Sequence, residues 1–243
     1  MPETEALPPR REIRSFVRRE GRMTVGQARA LSELLPRHEL DLRSADILAT
    51  WPRRAPLCLE IGTGNGENLL ANARGNPGLN YLAVEVHRPG IGQLLLQVEA
   101  HGISNVRVST ADIHTVLERL PGECLQEVAI FFPDPWPKTR HHKRRLLNAA
   151  FLSALHPRLA RHGRLFVATD IEDYAQSLLD TLAGLPDWVN LADATPLAPR
   201  PRWRCVTRFE ARGIAAGRRI HDFVLARRPP GQAARLNEGA IPP

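Results

Sequence analysis

Apolar residues fall along this chain in short runs separated by stretches of helical spacing, and a regular alternation sets in at residue 57. Leu57–Ile61 is a strand-length apolar run, followed by a glycine-rich turn and an amphipathic stretch at Glu67–Ala73. Tyr81–Val86, Val106–Ser109, Val128–Phe132 and Arg164–Thr169 read as further strands, with two more at Trp188–Leu191 and Ile220–Ala226. Helical spacing marks Ile91–Ala100, Leu146–Leu155 and Tyr174–Leu182. Strands alternating with helices predict an α/β fold, a doubly wound and mostly parallel sheet with helices on both faces. Its ligand crevice lies at the carboxyl ends of the strands.

Ahead of this pattern, the leader from Arg11 to Leu48 includes a basic segment, IRSFVRREGRMTVGQARALSELL, that turns helical in its second half, with Thr24 as an N-cap and Gln27 three residues on. The first ten residues and the tail from Arg228 contain Pro and Gly without periodicity and read as disordered. The chain therefore divides into a basic, partly disordered extension at 1–48, a folded domain at 49–227 and a tail at 228–243. A length of 243 residues with 43% hydrophobic content suits one large domain and excludes a disordered chain. The longest apolar runs are strand-length, and the N-terminus lacks the apolar core of a secretory signal, which predicts a cytoplasmic protein without a membrane span. Cys58, Cys124 and Cys205 are scattered and read as reduced thiols.

Charge adds a partner. The formal net charge of +7 favours a polyanion. Of the 33 basic side chains only two are lysine, Lys138 and Lys143, and both fall in one short basic stretch. A compact ammonium in a chain that otherwise uses arginine marks that stretch as distinctive.

Candidate chemistry collects at the predicted strand ends. The first strand runs into Gly62, Gly64 and Gly66, whose permissive backbone lets a nucleotide cofactor approach the main chain. Glu67 stands where a dinucleotide fingerprint needs a third glycine, and Glu60 places an acid beside the loop. That suits a cationic ligand better than a pyrophosphate, and S-adenosylmethionine carries an ammonium and a sulfonium without phosphate. Glu85 at the second strand end suits ribose hydroxyls, and Asp112 after the third suits an adenine amino group. The fourth strand ends in Phe131-Phe132-Pro133-Asp134-Pro135-Trp136, a proline-stiffened acid beside an indole, suited to a planar base. The run Thr139-Arg140-His141-His142-Lys143-Arg144-Arg145 beside it is suited to a phosphate backbone. His141 and His142 have no third ligand nearby, so no metal is assigned.

The segments LEIGTGNGENLL, YLAVEVHRPGIG, FFPDPWPKTRHHKRR, VATDIEDYA and TRFEARG, with the leader RSFVRREGRMT, resemble the serial motifs of bacterial tRNA (guanine-N7-)-methyltransferases. The resemblance spans roughly Ile13 to Arg227, and FFPDPW followed by a basic run is its most specific part. It implies a Rossmann-like class I methyltransferase with a seven-stranded sheet whose last strand is antiparallel. It also implies methyl transfer from S-adenosylmethionine to N7 of a guanosine in the tRNA variable loop. It further implies Glu60, Glu85, Asp112 and Asp134 as cofactor contacts, with Asp134 also the catalytic acid. Lys138, Asp170, Thr207, Arg208, Phe209 and Glu210 fall on its substrate positions, and Arg140 to Arg145 on its RNA-contacting stretch. Pro137 and the bulky Arg202-Trp203-Arg204-Cys205 depart from its usual pattern at the substrate lip.

The competing readings are a methyltransferase for rRNA, another base or a protein; a nicotinamide oxidoreductase; and a non-catalytic RNA-binding module. The FFPDPW and TRFE segments oppose the first, Glu60 and the missing glycine the second, and the set of acids the third. The sequence leaves monomer and homodimer both open.

Overall fold

The computed structural model describes residues 21–192 and 195–228. The leader up to residue 20 and the tail from 229, where disorder was expected at residues 1–10 and in the tail, lie outside the described residues. Seven strands form one sheet: β1 (Leu57–Ile61), β2 (Asn80–Val84), β3 (Val106–Ser109), β4 (Leu125–Phe131), β5 (Leu159–Thr169), β6 (Trp188–Asn190) and β7 (His221–Arg227). Their order is β3-β2-β1-β4-β5-β7-β6. The first five run parallel, and β7 is antiparallel to both β5 and β6. The strand order reverses between β1 and β4, the switch point at which a doubly wound sheet opens its crevice.

The helices are α1 (Val25–Glu33), α2 (Leu35–His38), α3 (Glu67–Gly75), α4 (Arg88–Ala100), α5 (Ile113–Arg119), α6 (Ala149–Leu155), α7 (Glu172–Ala183) and α8 (Arg208–Ala215). β1 is buried along its whole length, as a parallel strand covered on both faces requires. One side of the sheet packs Leu59, Ile61 and Val128 against Val116, Phe151, Leu155 and Tyr174 of α5, α6 and α7. The other packs Cys58, Tyr81 and Ala83 against Leu31, Leu69, Ile91 and Leu95 of α1, α3 and α4.

From Val25 onward the described part of the leader packs against the sheet domain. α1 begins with a full capping box: Gln27 N–H donates to Thr24 Oγ1 at 3.2 Å and Thr24 N–H to Gln27 Oε1 at 2.9 Å. α1 then lies on α4, where a Cβ on Gly92 would stand 2.8 Å from the Gln27 carbonyl. Leu40 N–H donates to Val108 O at 2.8 Å, tying this segment to the sheet edge.

β4 starts at Leu125 rather than Val128 and α6 at Ala149 rather than Leu146, and three further elements differ more. β5 starts at Leu159 rather than Arg164, because polar Arg161 and His162 interrupt the apolar run where the strand bulges. α5 and α8 appear where strand ends and a motif, but no helix, were expected.

Candidate functional site

Gly62, Gly64 and Gly66 adopt φ of +76°, +55° and +80°, the left-handed region that glycine enters without steric penalty. A Cβ on Gly62 or Gly64 would meet nothing within 4 Å, whereas one on Gly66 would stand 2.3 Å from Leu94 Cδ1. The loop thus offers bare backbone to a ligand at two positions and packs on α4 at the third. Glu85, directly after β2, shapes it. Its Oε2 accepts from Gly64 N–H at 2.7 Å, and its Oε1 accepts from Val86 N–H at 2.7 Å and His87 N–H at 2.8 Å. A carboxylate has about four acceptor sites, so one on Oε2 remains for a ribose hydroxyl. Asp112 follows β3 half-buried and caps α5, accepting from His114 N–H at 2.9 Å.

Glu60 is placed differently from the sequence expectation of an acid open to the crevice. Strand alternation puts it with Cys58 on the face under α3. There it is buried, accepts from Asn68 Nδ2 at 2.7 Å and lines a cavity of about 200 Å³ with Asn68, Asn72, Tyr81, Glu127 and Trp203. Burial pushes its carboxyl up to about 7 from an ordinary 4.5. Asn68 also accepts from Cys205 N–H at 3.0 Å, linking the base of the loop to the chain leading into α8.

The turn after β4 carries backbone strain at both ends. Phe132 and Trp136 have φ of +53° and +45°, a conformation that costs a side-chain-bearing residue on the order of 1–3 kcal/mol. Phe132 N–H is anchored on Ala168 O of β5 at 2.7 Å, and Pro135 O accepts from Arg145 Nε at 3.1 Å. Asp134 stands exposed between the two prolines. Asp170, at the neighbouring strand end, pairs with Arg218 at 2.6 Å and packs against Gly213 of α8.

The basic run forms a 3-10 turn, Thr139–Arg144. Lys138, Arg140, Lys143 and Arg144 are exposed, and His141 and His142 half-buried. Arg144 lies 4.8 Å over the Trp136 ring, and His141 meets that ring edge-on at 5.8 Å. Partial desolvation, then the charges of Arg140, Arg144, Lys138 and Lys143, hold His141 below its ordinary pKa. Arg145 is the exception to the expected RNA-contacting stretch. It is 2% exposed and its guanidinium turns inward.

α8 forms a lip over the crevice. Thr207 accepts from Glu210 N–H at 3.3 Å, half of a capping box. Arg208 pairs with Glu67 at the start of α3, at 3.0 Å. Phe209 is 65% exposed beneath the Arg212 guanidinium, 5.2 Å from its ring. Glu210, expected at the substrate, is instead 2% exposed and faces Arg204. Arg204 Nη1 lies 2.8 Å from Glu210 Oε2, an ionic contact outside hydrogen-bonding geometry, and Arg204 Nη2 donates to Asp222 Oδ2 at 2.9 Å. The guanidinium carbon is also 5.3 Å from the centre of the Phe131 ring. The sequence reading did not single out Arg204. One arginine among Arg200, Arg202 and Arg204 gave no sign that two acids downstream would converge on it. Among the described residues, no three His, Cys, Asp or Glu side chains gather to hold a metal, and no helix is long and apolar enough to cross a membrane.

Residues 54–223 match the family model described as "putative methyltransferase". The chain is 46% identical over 223 residues to a tRNA (guanine-N(7)-)-methyltransferase of Halorhodospira halophila, covering 90% of this chain and 96% of that one. It is 47% identical over 224 residues to the same-named protein of Methylococcus capsulatus, covering 91% and 96%. Among solved structures, the 16S rRNA methyltransferase KamB shares the fold with a TM-score of 0.51 at 17% identity, covering 72% of this chain and 89% of that one.

Proposed function

The chain belongs to the bacterial tRNA (guanine-N(7)-)-methyltransferase family, and from that premise we propose that it methylates N7 of a guanosine in the tRNA variable loop. The observation that carries this reading is the exposed Asp134, held between two prolines at the switch point, one strand away from the bare glycine loop. S-adenosylmethionine, when bound, supplies an electrophilic methyl on a sulfonium. The chain's residues fit it. Gly62 and Gly64 leave room against the main chain, Glu85 keeps an acceptor for the ribose, and Asp112 stands at the third strand end for the adenine amino group.

Guanine N7 has a free lone pair and no proton, so no general base is needed there. Rate then comes from in-line placement and from negative charge near a purine that becomes cationic. Asp134 accepts hydrogen bonds from guanine N1–H and the N2 amino group, and Asp170 adds charge from the next strand end. Adenine lacks that pair of donors and is rejected. Lys138, Arg140, Lys143 and Arg144 hold the phosphate backbone against this edge. Phe209 offers an exposed ring on the lip for stacking. Glu210 supports the lip through Arg204 rather than meeting the base.

Incubation with unmodified tRNA and methyl-labelled S-adenosylmethionine, followed by digestion to nucleosides, tests this. Label in 7-methylguanosine that disappears with Asp134→Ala supports both substrate and site. Label in a different nucleoside, or in rRNA alone, overturns the substrate.

A further inference from the structure

Arg145 belongs by sequence to the basic run, yet it does not share that run's surface. Its side chain is 3% exposed, and all three guanidinium nitrogens are engaged. Nε donates to Pro135 O at 3.1 Å, and Nη1 to the Asp173 carbonyl at 3.4 Å. Nη2 reaches the Asp173 carboxylate and lies 3.1 Å from His142 Nε2. The guanidinium carbon sits 4.9 Å from the centre of the Tyr174 ring, and the Tyr174 hydroxyl accepts from Leu147 N–H at 3.1 Å. A planar fork bonded along its edge and stacked on its face has little freedom to move.

What the fork holds is the turn bearing Asp134. Pro133 and Pro135 have no amide hydrogens, so that turn has few donors with which to fix itself. The Pro135 carbonyl immediately precedes Trp136, whose φ of +45° must be maintained from outside. Arg145 supplies that restraint and ties the turn to the first turn of α7, next to the strand end that carries Asp170.

We propose that Arg145 is a positioning residue, which holds Asp134 in register through the Pro135 carbonyl and makes no contact with RNA. This rests on Asp134 being the acid that orients the base. A displacement of about 1 Å at such a group is worth roughly 100-fold in rate.

The test measures single-turnover methylation at saturating tRNA and S-adenosylmethionine, together with the tRNA Kd as a function of salt, for Arg145→Lys, Asp134→Asn and the double variant. A lysine keeps the charge but cannot bond Pro135, Asp173 and His142 at once. The expected result is a rate loss of roughly 30-fold or more in Arg145→Lys, with tRNA Kd and its salt slope unchanged within about 2-fold. The double variant should be about as slow as Asp134→Asn alone, since both changes act on one group. A weakened tRNA Kd with a shallower salt slope, at unchanged rate, would make Arg145 an RNA contact and overturn the proposal. Fully multiplicative losses would also overturn it while leaving Asp134 in place. An Asp134→Asn variant as fast as the wild type would instead sink the reading on which the proposal rests. Should Arg145→Lys fail to fold, Asp173→Asn loosens the same guanidinium from a more exposed position. A several-fold slower rate at unchanged tRNA Kd supports the proposal there, and no change in rate overturns it.

Discussion

Gly90 is the third residue of α4, where alanine ordinarily stabilises a helix by up to about 1 kcal/mol relative to glycine. Here the sign should reverse. A Cβ at Gly90 would lie 2.6 Å from the Gly64 carbonyl oxygen, in the middle of the cofactor loop. Ordinary contact begins near 3.4 Å, so the carbonyl must retreat by roughly 0.8 Å. It is not free to do so, because Gly64 N–H is bonded to Glu85 Oε2 at 2.7 Å. Overpacking against a fixed backbone carbonyl lies toward the upper end of the usual range of about 1–3 kcal/mol and outweighs the propensity gain, leaving a net destabilisation of up to about 2 kcal/mol. The displaced loop should also weaken binding of S-adenosylhomocysteine by about tenfold or more, which is about 1.4 kcal/mol. Gly92→Ala is the matched comparison. Its Cβ would also meet backbone, the Gln27 carbonyl at 2.8 Å, but that contact belongs to α1 and not to the loop. Titration calorimetry and thermal melting of both variants should show similar losses of Tm, with weakened ligand binding only in Gly90→Ala. A raised Tm with unchanged affinity in Gly90→Ala would refute the packing argument, and equal loss of affinity in Gly92→Ala would refute its localisation.

Arg204→Met leaves Asp222 buried without its paired cation and Glu210 with only the partly exposed Arg200 at 3.3 Å, which should cost about 3–5 kcal/mol and lower Tm by roughly 10 °C in a scanning calorimeter; an unchanged Tm would rule out that network as a support. Glu60 has a folded pKa near 7, above its ordinary 4.5, so the folded state keeps a proton that the unfolded chain releases. Its contribution is therefore fully present below pH 4.5 and is lost as pH rises to about 7, by at most about 3 kcal/mol. Denaturant unfolding of Glu60→Gln across that window should show a flatter pH profile than wild type, and parallel profiles would contradict the burial argument. Phe209→Ala should raise KM for tRNA several-fold at unchanged Tm if the exposed ring stacks on a base, with about 1–3 kcal/mol the usual worth of such a stack. An unchanged KM would show that the ring stays clear of RNA.

The parallel core was legible because its inner stretches, Leu57–Leu59, Val128–Ile130 and Leu165–Ala168, are buried and apolar. β1 and β3 match their predicted limits residue for residue. β5 was shortened because Arg161 and His162 bulge out of it, and periodicity cannot follow a strand through a bulge. α8 carried a readable start signal, Thr207 followed three residues later by Glu210, but a motif reading passed over it. The same pair shows the limit of that signal. Glu210 would ordinarily reach back to cap the helix, and the positions of Arg200 and Arg204 in space, 3.3 and 2.8 Å from its two oxygens, turn it away. Asp134 stood out as a candidate because prolines on both sides are a local feature. The burial of Arg145 and Glu60 was not legible because each depends on what lies beneath it, Asp173 and Tyr174 in one case and α3 in the other.

Lys138 and Lys143 stand exposed on one 3-10 turn, and they are the only side-chain amines in all 243 residues. An amine-reactive label therefore has a single address on this molecule apart from the α-amino group. Acylation read by mass spectrometry becomes a direct footprint of the turn, protected or not as nucleic acid is added. A fluorophore attached there would report docking without cysteine engineering and without touching any of the arginines that carry the rest of the positive charge.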